Sequence, residues 1–170
     1  MNYDAQSLAA VIEQRRDIML TPHFRLSELL RTHHGADNWP AHPDEILALR
    51  YLCEWVLERV RAQFGRPVRI IAGFRSPAVN ALAGGATGSQ HLKGEAAEFA
   101  VPGVSNAEVA RWIRDNLVFD QLVLEYPAAG DTASGRVSCS IVRQGNRRAV
   151  MTSRRSAKTG RVTYTGGLDA

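Results

Sequence analysis

Cysteine is scarce in this chain of 170 residues: Cys53 and Cys139 stand alone, with no CxxC pair. A disulfide-stapled secreted module is therefore excluded, and a reducing compartment suits the chain best. Long apolar runs are missing too. Asp4, Glu13, Arg15, Arg16 and Asp17 interrupt the first twenty residues, which leaves no signal peptide or membrane span there. The protein is thus expected to be made in the cytoplasm without a leader. Aromatic residues are few and not interleaved with the basic ones, so an RNA-stacking platform and sequence-specific nucleic-acid binding are not expected. There is also no internal repeat, no low-complexity tract and no glycine-rich phosphate loop with its lysine.

What remains is a chain with 45% hydrophobic side chains, sized for one compact domain. Its formal charge of +4 owes much to a late cluster, Arg147, Arg148, Arg154, Arg155, Lys158 and Arg161. Such a cluster is either a solvated tail or a contact for an anionic surface.

Apolar periodicity after Asp4 predicts an amphipathic helix over 5–19, and a short helix starts near Leu26 or Ser27. The stretch 33–42 reads as loop. Pro43 opens the best helix, with Ile46, Leu49, Leu52, Cys53, Val56, Val60 and Phe64 on one face, making Cys53 a core residue. "RPVRIIAGF" is a β-prone run, "RSPAVNAL" turns into a brief helix at Pro77, and "GGATGSQ" is a flexible connector. In "GEAAEFAV" strict alternation sets Ala96, Glu98 and Ala100 on one face of a strand and Ala97, Phe99 and Val101 on the other. Ser105 and Glu108 form a capping box for the next helix. Strands "FDQLVLEY" and "RVSCSIV" follow across the loop 127–135, and "RRAVMTS" is expected to pair with the second of them across the tight "QGN" turn. Helices gather early and strands late, so the fold class is α+β, with helices packed on a small, mainly antiparallel sheet.

The blocks "HFRLSELL", the long run from "RIIAGFRSPAVNALAGGATGSQHLKGEAAEFAV" to "FDQLVLEY", and "NRRAVM" together resemble the zinc D-alanyl-D-alanine carboxypeptidase family, with its hedgehog/DD-peptidase fold. Within it the chain is similar to the short cell-wall peptidases of phages and prophages. The likeness covers about His23 to Tyr164 and implies a DD-peptidase-like domain over 23–151, an amphipathic helical extension over 1–22 and a basic tail over 152–170. In that family a Ser-x-His-x-x-Gly-x-Ala-x-Asp motif supplies two zinc ligands. Ser89, His91, Gly94 and Ala96 match it, which carries over His91 as the first ligand; the aspartate position holds Glu98. A histidine is expected in a late strand, where "GRVSCS" puts Arg136 for a tryptophan and Ser138 for the histidine.

The two departures differ in weight. Zinc accepts a glutamate, although the added methylene displaces the carboxylate, whereas a serine hydroxyl is a poor zinc donor. Cys139 would be a strong ligand as a thiolate, but strand alternation points it away from Ser138 unless a bulge intervenes. His33, His34 and His42 have no spacing that brings them to His91. Arg75 resembles an arginine near the substrate's carboxylate end, with a structural arginine that pins its loop as the other reading. Ser89 either donates to substrate or caps a turn. Glu125, at a strand end, is the candidate general base.

The resulting expectation is a peptidase-fold protein that has lost zinc-dependent peptidoglycan hydrolysis, binds no cofactor, and serves a binding or structural role, with phage or virion proteins or peptidoglycan as partners. The alternative is an active zinc metallopeptidase cleaving stem peptides, with a ligand set rebuilt from His91, Glu98 and Cys139 or an unaligned histidine. A peptidoglycan-binding module is the third reading.

Overall fold

A computed structural model of the protein describes residues 4–128, 131 and 134–168. Residues 1–3 and 169–170, and the pairs 129–130 and 132–133 inside the loop read over 127–135, lie outside that description. The first helix, α1 (Ala5–Glu13), starts where the Asp4 carboxylate accepts from the Ser7 N–H at 2.7 Å. It is shorter than the periodicity suggests. The chain leaves the helix at Arg15, whose φ is 49°, and Met19 enters a two-stranded ribbon of β1 (Met19–Thr21) and β2 (Phe24–Arg25). Leu8 and Val11 of α1 are buried in the same apolar cluster as Ile18, Leu20 and Phe24. The N-terminal segment is therefore part of the main core and packs on α3.

After α2 (Leu26–Leu29) and the loop, α3 (Pro43–Leu52) continues through one π-turn (Cys53–Leu57) into α4 (Glu58–Phe64), which ends at Gly65 with φ 59°. The apolar face read from the sequence is buried from Ile46 to Val60, and Cys53 lies inside the core. Then come β3 (Arg69–Ala72), α5 (Pro77–Leu82), a single 3-10 turn (Gln90–Lys93), β4 (Ala96–Ala100) and α6 (Asn106–Asn116). The chain finishes with β5 (Gln121–Glu125), β6 (Arg136–Ser140), β7 (Ala149–Arg155) and β8 (Val162–Gly166).

Six strands form one sheet in the order β3-β4-β6-β5-β7-β8, antiparallel except for β5 with β7. This is the α+β architecture that the sequence implies. One pairing differs from expectation. β7 does not return beside β6, because β6 already has β4 on one edge and β5 on the other. It crosses instead to the free edge of β5 and runs parallel to it. Two arginines from the late basic cluster fix the crossover. Arg147 donates to the buried Asp120 carboxylate, with Nη2 2.6 Å from Oδ2, and Arg148 donates to the carbonyls of Leu117 and Arg114 at the end of α6. The stretch 152–170 is likewise not a free tail over its described part: it contains the end of β7 and all of β8, paired as a hairpin at the sheet edge.

The alternation of the strands divides the sheet into two faces. Ala97, Phe99, Leu122, Leu124, Val137 and Cys139 form the apolar one, against which α3 and α6 pack. The other face carries the polar residues and opens as a cleft.

Candidate functional site

Strands β4, β5, β6, β7 and β8 set the floor of this cleft. The register places Glu98 opposite Ser138, Ser138 opposite Val123, and Arg136 opposite Glu125. Cys139 pairs with Ala97 and Leu122 on the reverse face, fully buried, and burial pushes its thiol far up from the ordinary range. The strand therefore offers Ser138 to the site, and Cys139 to the core.

His91 arrives from the 3-10 turn. Ser89 caps that turn by accepting from the His91 N–H at 3.3 Å, and Gly94 ends it with φ 72°. A Cβ at Gly94 would lie 2.4 Å from the Glu45 carbonyl oxygen, so helix α3 packs there only against a glycine. Gly73 has the same role under the Arg75 loop, where a Cβ would meet the Leu29 carbonyl at 2.4 Å. The Gly73 carbonyl then sits 2.6 Å from His91 Nδ1. A carbonyl only accepts, so Nδ1 carries the proton and the Nε2 lone pair faces the cleft. Burial first, and the Arg75 charge second, push the His91 pKa down to about 4, which keeps the ring neutral at physiological pH.

Around Glu98 two guanidiniums converge. Arg75 Nη2 donates to Glu98 Oε1, while Arg136 Nε lies 2.7 Å from Glu98 Oε2 and 2.8 Å from Glu125 Oε2. His91 Nε2 stands 3.7 Å from Glu98 Oε1. The Glu98 side chain is 7% exposed and that of Glu125 13%, so both carboxylates are desolvated and bound to cations. Burial, then repulsion from Glu98, raises the Glu125 pKa, with Arg136 opposing. The four residues form a closed ion cluster in which both oxygens of Glu98 are taken.

Arg136 is the residue that the motif comparison treated only as a lost tryptophan. Its signal was present: it lies two residues before Ser138, hence on the same strand face. Ser89, Arg75 and Glu125 all line the same cleft of about 790 Å³ as His91 and Glu98. His33 and His34, which no spacing connected to the site, line a smaller pocket of about 280 Å³ sharing Arg75, Glu98 and Arg136. His42 belongs to another pocket, with Asp44 and Tyr51. Among the described residues no three His, Cys, Asp or Glu side chains converge as a metal would require.

Residues 22–128 match the family model described as Peptidase M15. The match takes in Arg75, Ser89, His91, Glu98 and Glu125, and leaves Arg136, Ser138 and the β7–β8 hairpin beyond its end. No curated protein matches the chain.

Proposed function

The chain belongs to the peptidase M15 family, and from that premise we propose that it is a peptidase-fold protein that has given up zinc-dependent hydrolysis and uses its cleft to bind. M15 peptidases are zinc-dependent. A catalytic zinc takes three protein ligands and keeps one position for water or substrate. The residues here do not fit that set. His91 has the right tautomer, but Glu98 already accepts from Arg75 with one oxygen and is ion-paired to Arg136 through the other, and the third position holds Ser138.

The Arg136 bridge between Glu98 and Glu125 carries the reading. Positive charge that a metal supplies in a working site is supplied by guanidinium, and a guanidinium neither activates water nor polarises a carbonyl as a Lewis acid. Glu125, the candidate base, is bound to the same arginine. The rebuilt-site alternative needs Cys139, whose thiol lies on the core face, or an unaligned histidine, and among the described residues neither His33 nor His34 joins His91 and Glu98 in a group that could hold a metal.

A virion or tail role belongs to this proposal as its finer form, suggested by the resemblance to phage enzymes. The apolar face of α1 is committed to the core through Leu8 and Val11, which leaves the arginine-bearing hairpin as the surface for such a partner. Metal analysis tests the proposal. Protein purified without added metal is expected to hold no zinc and to release neither D-alanine nor muropeptides from cell-wall sacculi, while co-sedimenting with them. About one zinc per chain would overturn it.

A further inference from the structure

The cleft continues past the ion cluster onto the β7–β8 hairpin, beyond the matched segment. Arg155 and Tyr164 both line this end, on the face shared with Arg136 and Glu125. The cations of the cleft can be assigned one by one. Arg75 is bound to Glu98, Arg136 to Glu98 and Glu125, and Arg147 to Asp120. Arg155 is exposed, and among the described residues no carboxylate pairs with it. Its guanidinium lies instead 5.2 Å from the centroid of the Tyr126 ring, with that of Arg136 5.4 Å from the same centroid.

Tyr126 adopts φ 52°, a left-handed conformation that costs an aromatic residue free energy. That conformation follows the end of β5 and keeps the ring within reach of both the committed arginine and the uncommitted one. Tyr164 stands beside them, 60% exposed, with the charges of Glu125 and Glu98 close enough to help burial raise its pKa. Its hydroxyl is therefore a proton donor at neutral pH.

We infer that Arg155, backed by Tyr126 and Tyr164, forms a selectivity subsite for a side-chain carboxylate, so that the ligand of the cleft is an acidic peptide. The inference rests on the proposed reading of the cleft as a binding surface. A planar guanidinium held by a ring presents its remaining donors as a fork, the geometry that suits a carboxylate. The other three arginines of the cleft, Arg75, Arg136 and Arg147, cannot take that role without releasing a desolvated carboxylate of the protein.

Two labelled tripeptides differing only in a central Glu or Gln test this by fluorescence anisotropy. The wild-type protein should bind the Glu peptide about tenfold more tightly, as one charge-assisted hydrogen bond suggests. Arg155→Gln should abolish the preference and Arg155→Glu reverse it. Arg154→Gln, on the opposite face of β7, should keep it. Equal binding of the two peptides by wild type, a preference that survives Arg155→Gln, or equal loss in both Gln variants would overturn the inference. Zinc content separates it from the reading beneath: a zinc-loaded protein refutes the loss of hydrolysis yet leaves the peptide preference standing, and a zinc-free protein without the preference refutes only the subsite.

Discussion

Arg136→Met is the most direct probe of the ion cluster. It removes the guanidinium between Glu98 and Glu125 while keeping a side chain of similar length. Glu98 retains Arg75, but Glu125 loses the one cation within salt-bridge distance among the described residues. Breaking a fully buried ion pair costs about 3–5 kcal/mol, most of it from the charge left behind. Here the Arg136 side chain is 31% exposed, and water can reach part of the gap, so roughly half of that is appropriate, about 2 kcal/mol. For a domain of this size each kcal/mol moves Tm by about 2–4 °C, and the variant should melt about 4–8 °C below wild type at pH 7. Adding Glu125→Gln should recover most of the loss, because the stranded charge is gone, and the double-mutant cycle should show the two residues strongly coupled. Thermal denaturation followed by circular dichroism measures both. A variant within about 2 °C of wild type, or a double variant as unstable as the sum of its parts, would refute the idea that arginine is what neutralises this face.

Three further outcomes follow from the geometry. Cys53 and Cys139 are both buried, with burial the first cause of their raised thiol pKa values, so neither should react quickly with a thiol reagent until the protein is unfolded in denaturant; a fast Cys139 in the native state would contradict the strand register, and a fast Cys53 the burial of the helix face. Gly94→Ala should cost about 3 kcal/mol, since it adds a Cβ against the Glu45 carbonyl at φ 72°, and a Tm loss under about 3 °C would show that α3 gives way there. Asp120 is held below the usual carboxylate range first by its hydrogen bonds from Arg147. A depressed folded pKa gives stability that is complete above the unfolded value near about 3.9 and lost as pH falls through the folded value. Asp120→Asn should therefore melt below wild type at pH 7, with the gap closing under about pH 4; a gap that does not close in acid would mean that packing, not charge, sets the difference.

Much of this was legible in the order of residues. The face of the helix opened by Pro43 came from its period, and the alternation in "GEAAEFAV" and "RVSCS" was enough to put Glu98 with its small neighbours and to separate Ser138 from Cys139. Strand pairing was not legible in the same way. Whether β7 returns to β6 depends on which edges are already occupied, a property of the assembled sheet that the turn "QGN" does not encode. The same holds for α1, whose apolar spacing continues to Met19 although the chain turns away at Arg15 to bring Ile18 and Leu20 into the core by another route. His33 and His34 reached the border of the site through a loop, where spacing carries no direction. Arg136 was misread for a different reason. Comparing it with an expected tryptophan registered a loss, whereas its place on the face of Glu98 and Glu125 marked a new cation among desolvated carboxylates.

That cation also explains why the site does not sit halfway between two states. Two carboxylates on the floor of a cleft, each less than a seventh exposed, need compensating positive charge, which metal or guanidinium can provide. The two solutions compete for the same lone pairs. With Arg75 on one Glu98 oxygen and Arg136 on the other, a zinc ion approaching His91 Nε2 would have to displace an arginine and strand its charge before gaining its second ligand. Restoring a histidine at 138 would add a ligand without freeing Glu98. On the proposed reading, the barrier to binding a metal lies in the arginines that accompany the serine, and the cluster is an alternative way to neutralise the two carboxylates.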